Sequence, residues 1–205
     1  MISRSELARC ETCVGAREPM ELPNAAYLYT LALIAIGYVG FTAIVLILRQ
    51  SLGSALSSLD TLVARLFMVR GLVITYVSMT PMLLAAFELS HRTVWQVSSV
   101  LAGVTLVVVH VGYQVLRSRV TGEPTPLHLW FYTVSGFAFG IVLLANASPI
   151  VPSAVAAIYV AAVTLDMIQA SVAFVHHFGI MIHELQTERK SAGLMSVTDS
   201  PGRPN

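Results

Sequence analysis

Long apolar segments and short polar breaks alternate along most of this chain. Each segment holds about 20 or more predominantly apolar residues, the length that a helix needs to cross the roughly 30 Å hydrocarbon core of a bilayer. None of them alternates apolar and polar residues with the period of two that a transmembrane barrel strand shows. The pattern predicts five transmembrane helices, at Ala25–Leu48, Leu66–Phe87, Val94–Leu116, Leu127–Ala147 and Val151–Val175.

One further segment, from Ser51 to Arg65, has leucines at helical spacing on one side and serines, Asp60 and Thr61 on the other. This pattern is typical of an amphipathic helix, which would lie at the membrane surface or extend the second span beyond it. The predicted fold is therefore all-α: an integral membrane helical bundle with five transmembrane helices and one interfacial amphipathic helix. The five-helix domain covers residues 25–186, between a polar tail at 1–24 and a disordered tail at 187–205.

Composition agrees with a lipid environment, since 56% of the residues are hydrophobic and only 11% are charged. The net charge of +1 and the lack of a clustered basic face give no reason to expect a nucleic-acid partner, and we predict none. Cytoplasmic loops carry an excess of Lys and Arg, so the distribution of basic residues predicts an external N-terminus and a cytoplasmic C-terminus. The side predicted to be cytoplasmic collects Arg49, Arg65, Arg70, Arg117, Arg119, Arg189, Lys190 and Arg203.

Asp166 is the main candidate for chemistry, because it is an acidic residue near the middle of the fifth span. A charged carboxylate there costs about 2.5 to 3.5 kcal/mol on insertion scales, so it must have a partner, a ligand or a proton. Arg70 and His110 lie in the same half of the membrane and are its candidate partners. A proton relay and a hydrogen bond that fixes helix packing are both consistent with this position. For Arg70 we favour the simpler interpretation that its long side chain snorkels to the interface.

Histidines gather near the end of the fifth helix, at His176, His177 and His183. His176 and His183 are seven residues apart, about 10.5 Å along a helix axis, so the two cannot share one metal ion. His183-Glu184 lacks the second histidine of a zinc protease motif. We predict no metal site and no resident cofactor. A haem held between His110 and His176 or His177 remains an alternative.

Cys10 and Cys13 form a C-x-x-C pair in the polar N-terminal tail. A disulfide is expected if the tail is outside the cell, and a redox pair or half of a zinc site if it is inside. A structural zinc needs four ligands, and no second pair of ligands lies nearby in the sequence.

Two sequence features bear on helix packing. Gly136-x-x-x-Gly140 has the small-residue spacing used for close helix contacts, and we expect it to pack another helix of the same chain. Pro81 interrupts the second span, where Ser78 or Thr80 is expected to hydrogen-bond to a backbone carbonyl.

Several stretches resemble a broad group of bacterial polytopic membrane proteins to which no activity is assigned. The resemblance covers most of residues 30–175 and rests on Gly37 to Val45, the Arg65 to Glu88 segment, Trp95 to Ser99 and the final span up to Phe174. It implies a five-span layout in a bacterial inner membrane, and it implies no site residues.

Three functions are consistent with the sequence. The favoured one is an accessory or scaffold subunit in the lipid bilayer, acting alone, in a homo-oligomer or in a membrane protein complex. The first alternative is a proton or small-ion transporter or channel that uses Asp166 with His110 as a relay. The second is a redox protein that binds haem or quinone through His110 and His176 or His177. No catalytic motif is present in the sequence, which favours a protein that is not an enzyme.

Overall fold

The protein is a bundle of five α-helices in a computed structural model that describes residues 22, 24–51, 58–122, 127–148 and 155–198. Each helix contains a segment long and apolar enough to cross a membrane, so the predicted five-span, all-α membrane fold is confirmed. The helices are α1 (Ala25–Ser51), α2 (Ser58–Ala85), α3 (His91–Thr121), α4 (Leu127–Asn146) and α5 (Val155–Thr198).

Local sequence explains where α3 begins and ends. Ser90 caps its first turn, because the Ser90 hydroxyl accepts a hydrogen bond from the Thr93 amide at 3.2 Å. Gly122 ends the helix with a φ of 64°, a left-handed conformation that glycine adopts without strain. The short turn between α2 and α3 makes these two helices an antiparallel hairpin.

Helices adjacent in sequence pack against one another, and α5 packs on the resulting layer. Helix α1 lies mainly against α2, α4 lies against α3, and α5 contacts α2, α3 and α4 and, to a smaller extent, α1. As a result α1 and α4 occupy the two margins of the bundle and keep most of their apolar side chains exposed, as expected of surfaces that face lipid.

Glycines allow the closest helix contacts. A Cβ atom at Gly140 would lie 3.1 Å from the Gly103 carbonyl oxygen, and one at Gly136 would overlap the His110 ring. The prediction that the Gly136-x-x-x-Gly140 pair packs a helix of the same chain is therefore confirmed, and the partner is α3. At Gly37 and Gly40 on α1, an added Cβ would meet no atom of the other described residues within 4 Å, so these two glycines take no part in this packing.

The structure differs from the sequence prediction at both ends of the apolar region. Residues 58–65 continue α2 without a break, so the described residues contain no separate interfacial helix; residues 52–57 of the predicted amphipathic segment lie outside the described residues. No glycine or proline interrupts residues 58–70, and the helix therefore continues through them. Helix α5 runs to Thr198, into the segment where the sequence predicts disorder from 187 onward. Between residues 187 and 198 the chain has no proline, and Glu188, Arg189, Lys190, Ala192, Leu194 and Met195 are residue types that favour helix.

Four arginines define one end of the bundle, where α1 and α3 finish and α2 begins. We call this the basic end, and it carries Arg49, Arg65, Arg117 and Arg119. The opposite end carries Arg92 among the described residues.

Candidate functional site

Asp166 of α5 and Arg70 of α2 form a buried ion pair inside the bundle. The Arg70 Nη2 group donates to Asp166 Oδ1 and also lies 3.4 Å from the Asp166 backbone oxygen. The side chains are only 5% and 1% exposed. The interpretation that Arg70 snorkels to the interface is therefore wrong. The guanidinium is bound by Asp166 inside the bundle, so the side chain does not extend along the lipid-facing surface toward the interface.

The ion pair is only partly hydrogen-bonded. Arg70 Nε, Asp166 Oδ2 and the Gln169 side-chain oxygen are buried and have no hydrogen-bond partner among the described residues. Gln169 lies one turn beyond Asp166 on α5, and its amide nitrogen donates to the Tyr132 carbonyl of α4 at 2.5 Å. The two opposite charges compensate each other, although several buried polar atoms around them lack hydrogen-bond partners. Removing only one of the two charges would leave the other buried and uncompensated, and would destabilise the fold.

His110 of α3 lies close enough to the pair for the charges of Arg70 and Asp166 to act on its ring. Its Nδ1 atom is 2.8 Å from the Leu106 carbonyl oxygen of its own helix, and the ring packs against Gly136 of α4. Of the two partners predicted for Asp166, the structure pairs Arg70 with it directly and places His110 next to the pair.

Apolar layers enclose the pair along the bundle axis. On the side away from the basic end, the next helical turn contributes three buried apolar side chains, each no more than 2% exposed: Ile74, Leu106 and Val163. One to two turns toward the basic end lie Tyr38, Phe67 and Phe174, whose rings make edge contacts with centroids 5.3 to 6.3 Å apart. Apolar and aromatic side chains therefore lie next to the pair on both sides along the bundle axis.

A second polar cluster lies nearer the opposite end, around Tyr159 of α5. Its hydroxyl donates to the Val77 carbonyl oxygen at 2.6 Å. That oxygen would normally accept the amide of residue 81, but residue 81 is proline and has no amide hydrogen. One residue earlier, the Thr80 hydroxyl donates to the Tyr76 carbonyl at 2.8 Å, as predicted for Thr80. Tyr159 of another helix therefore supplies the donor that Pro81 removes.

Sequence reasoning missed several buried polar residues. The presence of Pro81 was a signal for Tyr159, because a proline inside a helix leaves one carbonyl without a donor and a hydroxyl from another helix can supply it. Asn146, whose amide donates to the Ser99 hydroxyl at 3.0 Å, is the next-to-last residue of the fourth predicted span, where a polar residue gives no signal of burial. Arg117 is 4% exposed, and its Nε and Nη1 atoms have no hydrogen-bond partner among the described residues; its place near a helix end gave no signal of burial.

The geometry does not support a haem shared between His110 and the histidines of α5. His110 lies at the depth of Asp166, whereas His176 is ten residues further along α5, about 15 Å along its axis. Both axial ligands must contact the same iron. His177 packs its ring against Phe67 at a centroid distance of 6.2 Å.

Among the described residues, no three His, Cys, Asp or Glu side chains converge as a metal site would require. Cys10, Cys13 and the side chains of His183 and Glu184 lie outside the described residues, and the C-x-x-C interpretations stay predictions.

Comparison with protein-family models, with curated proteins and with solved structures finds no significant match to this chain. The fold defines it as a multi-pass helical membrane protein with five candidate spans.

Proposed function

We propose that this protein is a non-catalytic accessory or scaffold subunit of a membrane assembly, in which the Arg70–Asp166 pair fastens α2 to α5. The observation that carries the proposal is the state of Asp166. The acidic residue that the sequence marks as the candidate relay is bound by an arginine of the same chain. A fixed buried pair of this kind sets the relative positions of two helices.

The charge of Arg70 supports a structural role over cation transport. A cation that used Asp166 as a ligand would meet the guanidinium already bound to Oδ1, and two like charges at about 4 Å repel strongly in a medium of low dielectric constant. The apolar layer of Ile74, Leu106 and Val163 would also have to open before an ion or a proton-carrying water chain could reach the pair.

Exposed apolar side chains offer the surface on which an assembly would form. Helix α1 contacts chiefly one neighbour and exposes Ile36, Phe41, Ile44 and Ile47. In a bilayer, helices associate through close packing of such faces rather than through a hydrophobic driving force. Because α1 lies at the margin of the bundle and only one of its sides is covered, its other side is suited to contact another membrane subunit.

Photo-crosslinking in native membranes tests the scaffold role. A benzophenone amino acid would replace Ile36, which is 53% exposed, or its neighbour Ala35, which is fully buried against the rest of the bundle. We expect a discrete protein adduct, identified by mass spectrometry, from position 36 and none from position 35. Lipid adducts alone at position 36 and at positions 44 and 47 would contradict a subunit that docks through α1.

The alternative function is a proton or small-ion transporter centred on Asp166, and one observation favours it. Asp166 Oδ2 and the Gln169 side-chain oxygen are two acceptors inside the bundle with no described donor, which a transported proton or hydrated ion could use. Liposomes containing the purified protein and a pH-sensitive dye separate the two functions. The scaffold role predicts the same proton leak as empty liposomes, whereas wild-type flux that Asp166→Asn abolishes would establish the transporter.

We also infer a bacterial inner-membrane location with the basic end in the cytoplasm and the N-terminal tail outside. The four arginines at the basic end, against Arg92 at the opposite end, support this orientation through the positive-inside tendency. Alkaline phosphatase fused within the turn at residues 86–90 should be active, and green fluorescent protein fused after residue 198 should fluoresce. The reverse pattern would place the basic end outside.

A further inference from the structure

A chain of side-chain contacts links an exposed histidine to the proline break in α2. His91 lies at the start of α3, and the Trp95 indole nitrogen donates to His91 Nε2 at 3.2 Å. An indole nitrogen can only donate, so His91 Nε2 must be the unprotonated acceptor of this hydrogen bond. The contact therefore exists only while the His91 ring is neutral.

Trp95 transmits this contact into the core. It is 1% exposed, and its ring meets the Tyr159 ring edge-on, with centroids 5.5 Å apart and an interplanar angle of 61°. Tyr159, itself fully buried, donates to the Val77 carbonyl that Pro81 leaves without a helical donor. The orientation of Trp95 thus bears directly on the side chain that completes the hydrogen bonding of α2.

We propose that His91, Trp95 and Tyr159 form a proton-sensitive latch on the proline break of α2. When a proton from the solvent binds His91 Nε2, both ring nitrogens become donors and the Trp95 N–H loses its acceptor. A buried donor without an acceptor is unfavourable, so the indole shifts to find one. Its contact with Tyr159 loosens, and with it the hydrogen bond that holds Val77 beside Pro81.

The surroundings of His91 suit a group that exchanges protons with the solvent. The ring is exposed, and the charged side chains at this end of the described chain are Glu88 in the turn and Arg92 on α3. The parts of α1, α2, α4 and α5 that the structure describes here bring no charge; their titratable groups are the hydroxyls of Tyr27, Tyr29, Tyr76 and Tyr159. Histidine is the side chain that most often serves as a proton-sensitive switch in proteins. This inference does not depend on the scaffold role.

Tryptophan fluorescence in nanodiscs tests the first contact. The chain has two tryptophans, so Trp130→Phe leaves Trp95 as the only indole. We expect its emission to change between pH 8 and pH 5 with a single titration, and His91→Gln to remove that change, because glutamine accepts a hydrogen bond but does not titrate. His176→Gln, at the far end of the bundle, is the matched control and should leave the titration intact. A titration that survives in His91→Gln, or no titration in the parent, overturns the proposal.

Hydrogen exchange tests whether the signal reaches α2. At pH 5.5 the amides of residues 78–80 and 82–85 should exchange about fivefold to thirtyfold faster in the wild type than in His91→Gln, as expected for losing one buried hydrogen bond. Comparing variants at one pH removes the intrinsic pH dependence of exchange. Tyr159→Phe should exchange fast at pH 7.5 already and show no further dependence on His91. Equal exchange in the wild type and His91→Gln at pH 5.5 would show that no latch acts on α2.

Discussion

The Arg70–Asp166 pair gives the sharpest test of what holds this bundle together. Asp166→Asn removes the negative charge and leaves a guanidinium, on a side chain that is 5% exposed, without its counter-charge. Removing one partner of a buried pair costs about 3 to 5 kcal/mol, because the remaining charge stays buried. Arg70→Met leaves the Asp166 carboxylate in the same position and should cost a similar amount. Replacing both residues, with Arg70→Met and Asp166→Leu together, removes both charges and should restore stability to within about 1 to 2 kcal/mol of the wild type.

The measurement is the free energy of unfolding in mixed micelles of increasing SDS content, followed by circular dichroism for the wild type, both single variants and the double variant. Arg65→Met is the control, since Arg65 is an exposed arginine five residues earlier on the same helix and should change stability by less than about 0.5 kcal/mol. The reasoning would be refuted by single variants that lose less than about 1 kcal/mol. It would also fail if the loss in the double variant equalled the sum of the two single losses, because additive effects mean that the residues do not interact.

Two further predictions concern packing and the proline break. Gly136→Ala places a methyl group against the His110 ring and should lower the free energy of unfolding by about 1 to 3 kcal/mol. The control is Gly112→Ala, where no atom lies within 4 Å of the new carbon, and it should be neutral or slightly stabilising. Equal melting temperatures for the two variants would contradict the close α3–α4 contact. Tyr159→Phe should lower the free energy of unfolding by about 1 to 2 kcal/mol, because it leaves the Val77 carbonyl without a donor. In a Pro81→Ala background the restored amide supplies that donor, and the loss should fall to a few tenths of a kcal/mol. The same loss in both backgrounds would mean that Tyr159 acts through its ring alone.

Position along the membrane normal could be predicted from the sequence, because hydropathy varies along the chain. The five spans follow from that variation, and so does the shared half-membrane depth of Arg70, His110 and Asp166. A close helix contact at Gly136-x-x-x-Gly140 within the chain could also be predicted, since this spacing is typical of close helix packing; that the partner is α3 came only from the structure.

The direction in which each side chain faces could not be predicted in the same way. Rotation of a helix about its axis depends on how its neighbours pack, and hydropathy gives a weak signal for it when nearly every residue is apolar. The sequence therefore left Arg70 two destinations, the interface that we favoured and Asp166, and only the arrangement of α2 against α5 selects the second. The Tyr159 hydrogen bond depends on a contact between residues 82 positions apart, which a single sequence does not reveal.

The length of α5 has a practical consequence at the basic end. Its apolar span ends at Ile180 and the helix at Thr198, 18 residues later, which is about 27 Å at 1.5 Å per residue. The headgroup region adds only about 5 to 8 Å on each side of the hydrocarbon core. The last turns of α5 thus extend beyond the headgroups, so an antibody, a protease or an affinity tag directed there would reach the chain without detergent in membrane vesicles that expose the basic end.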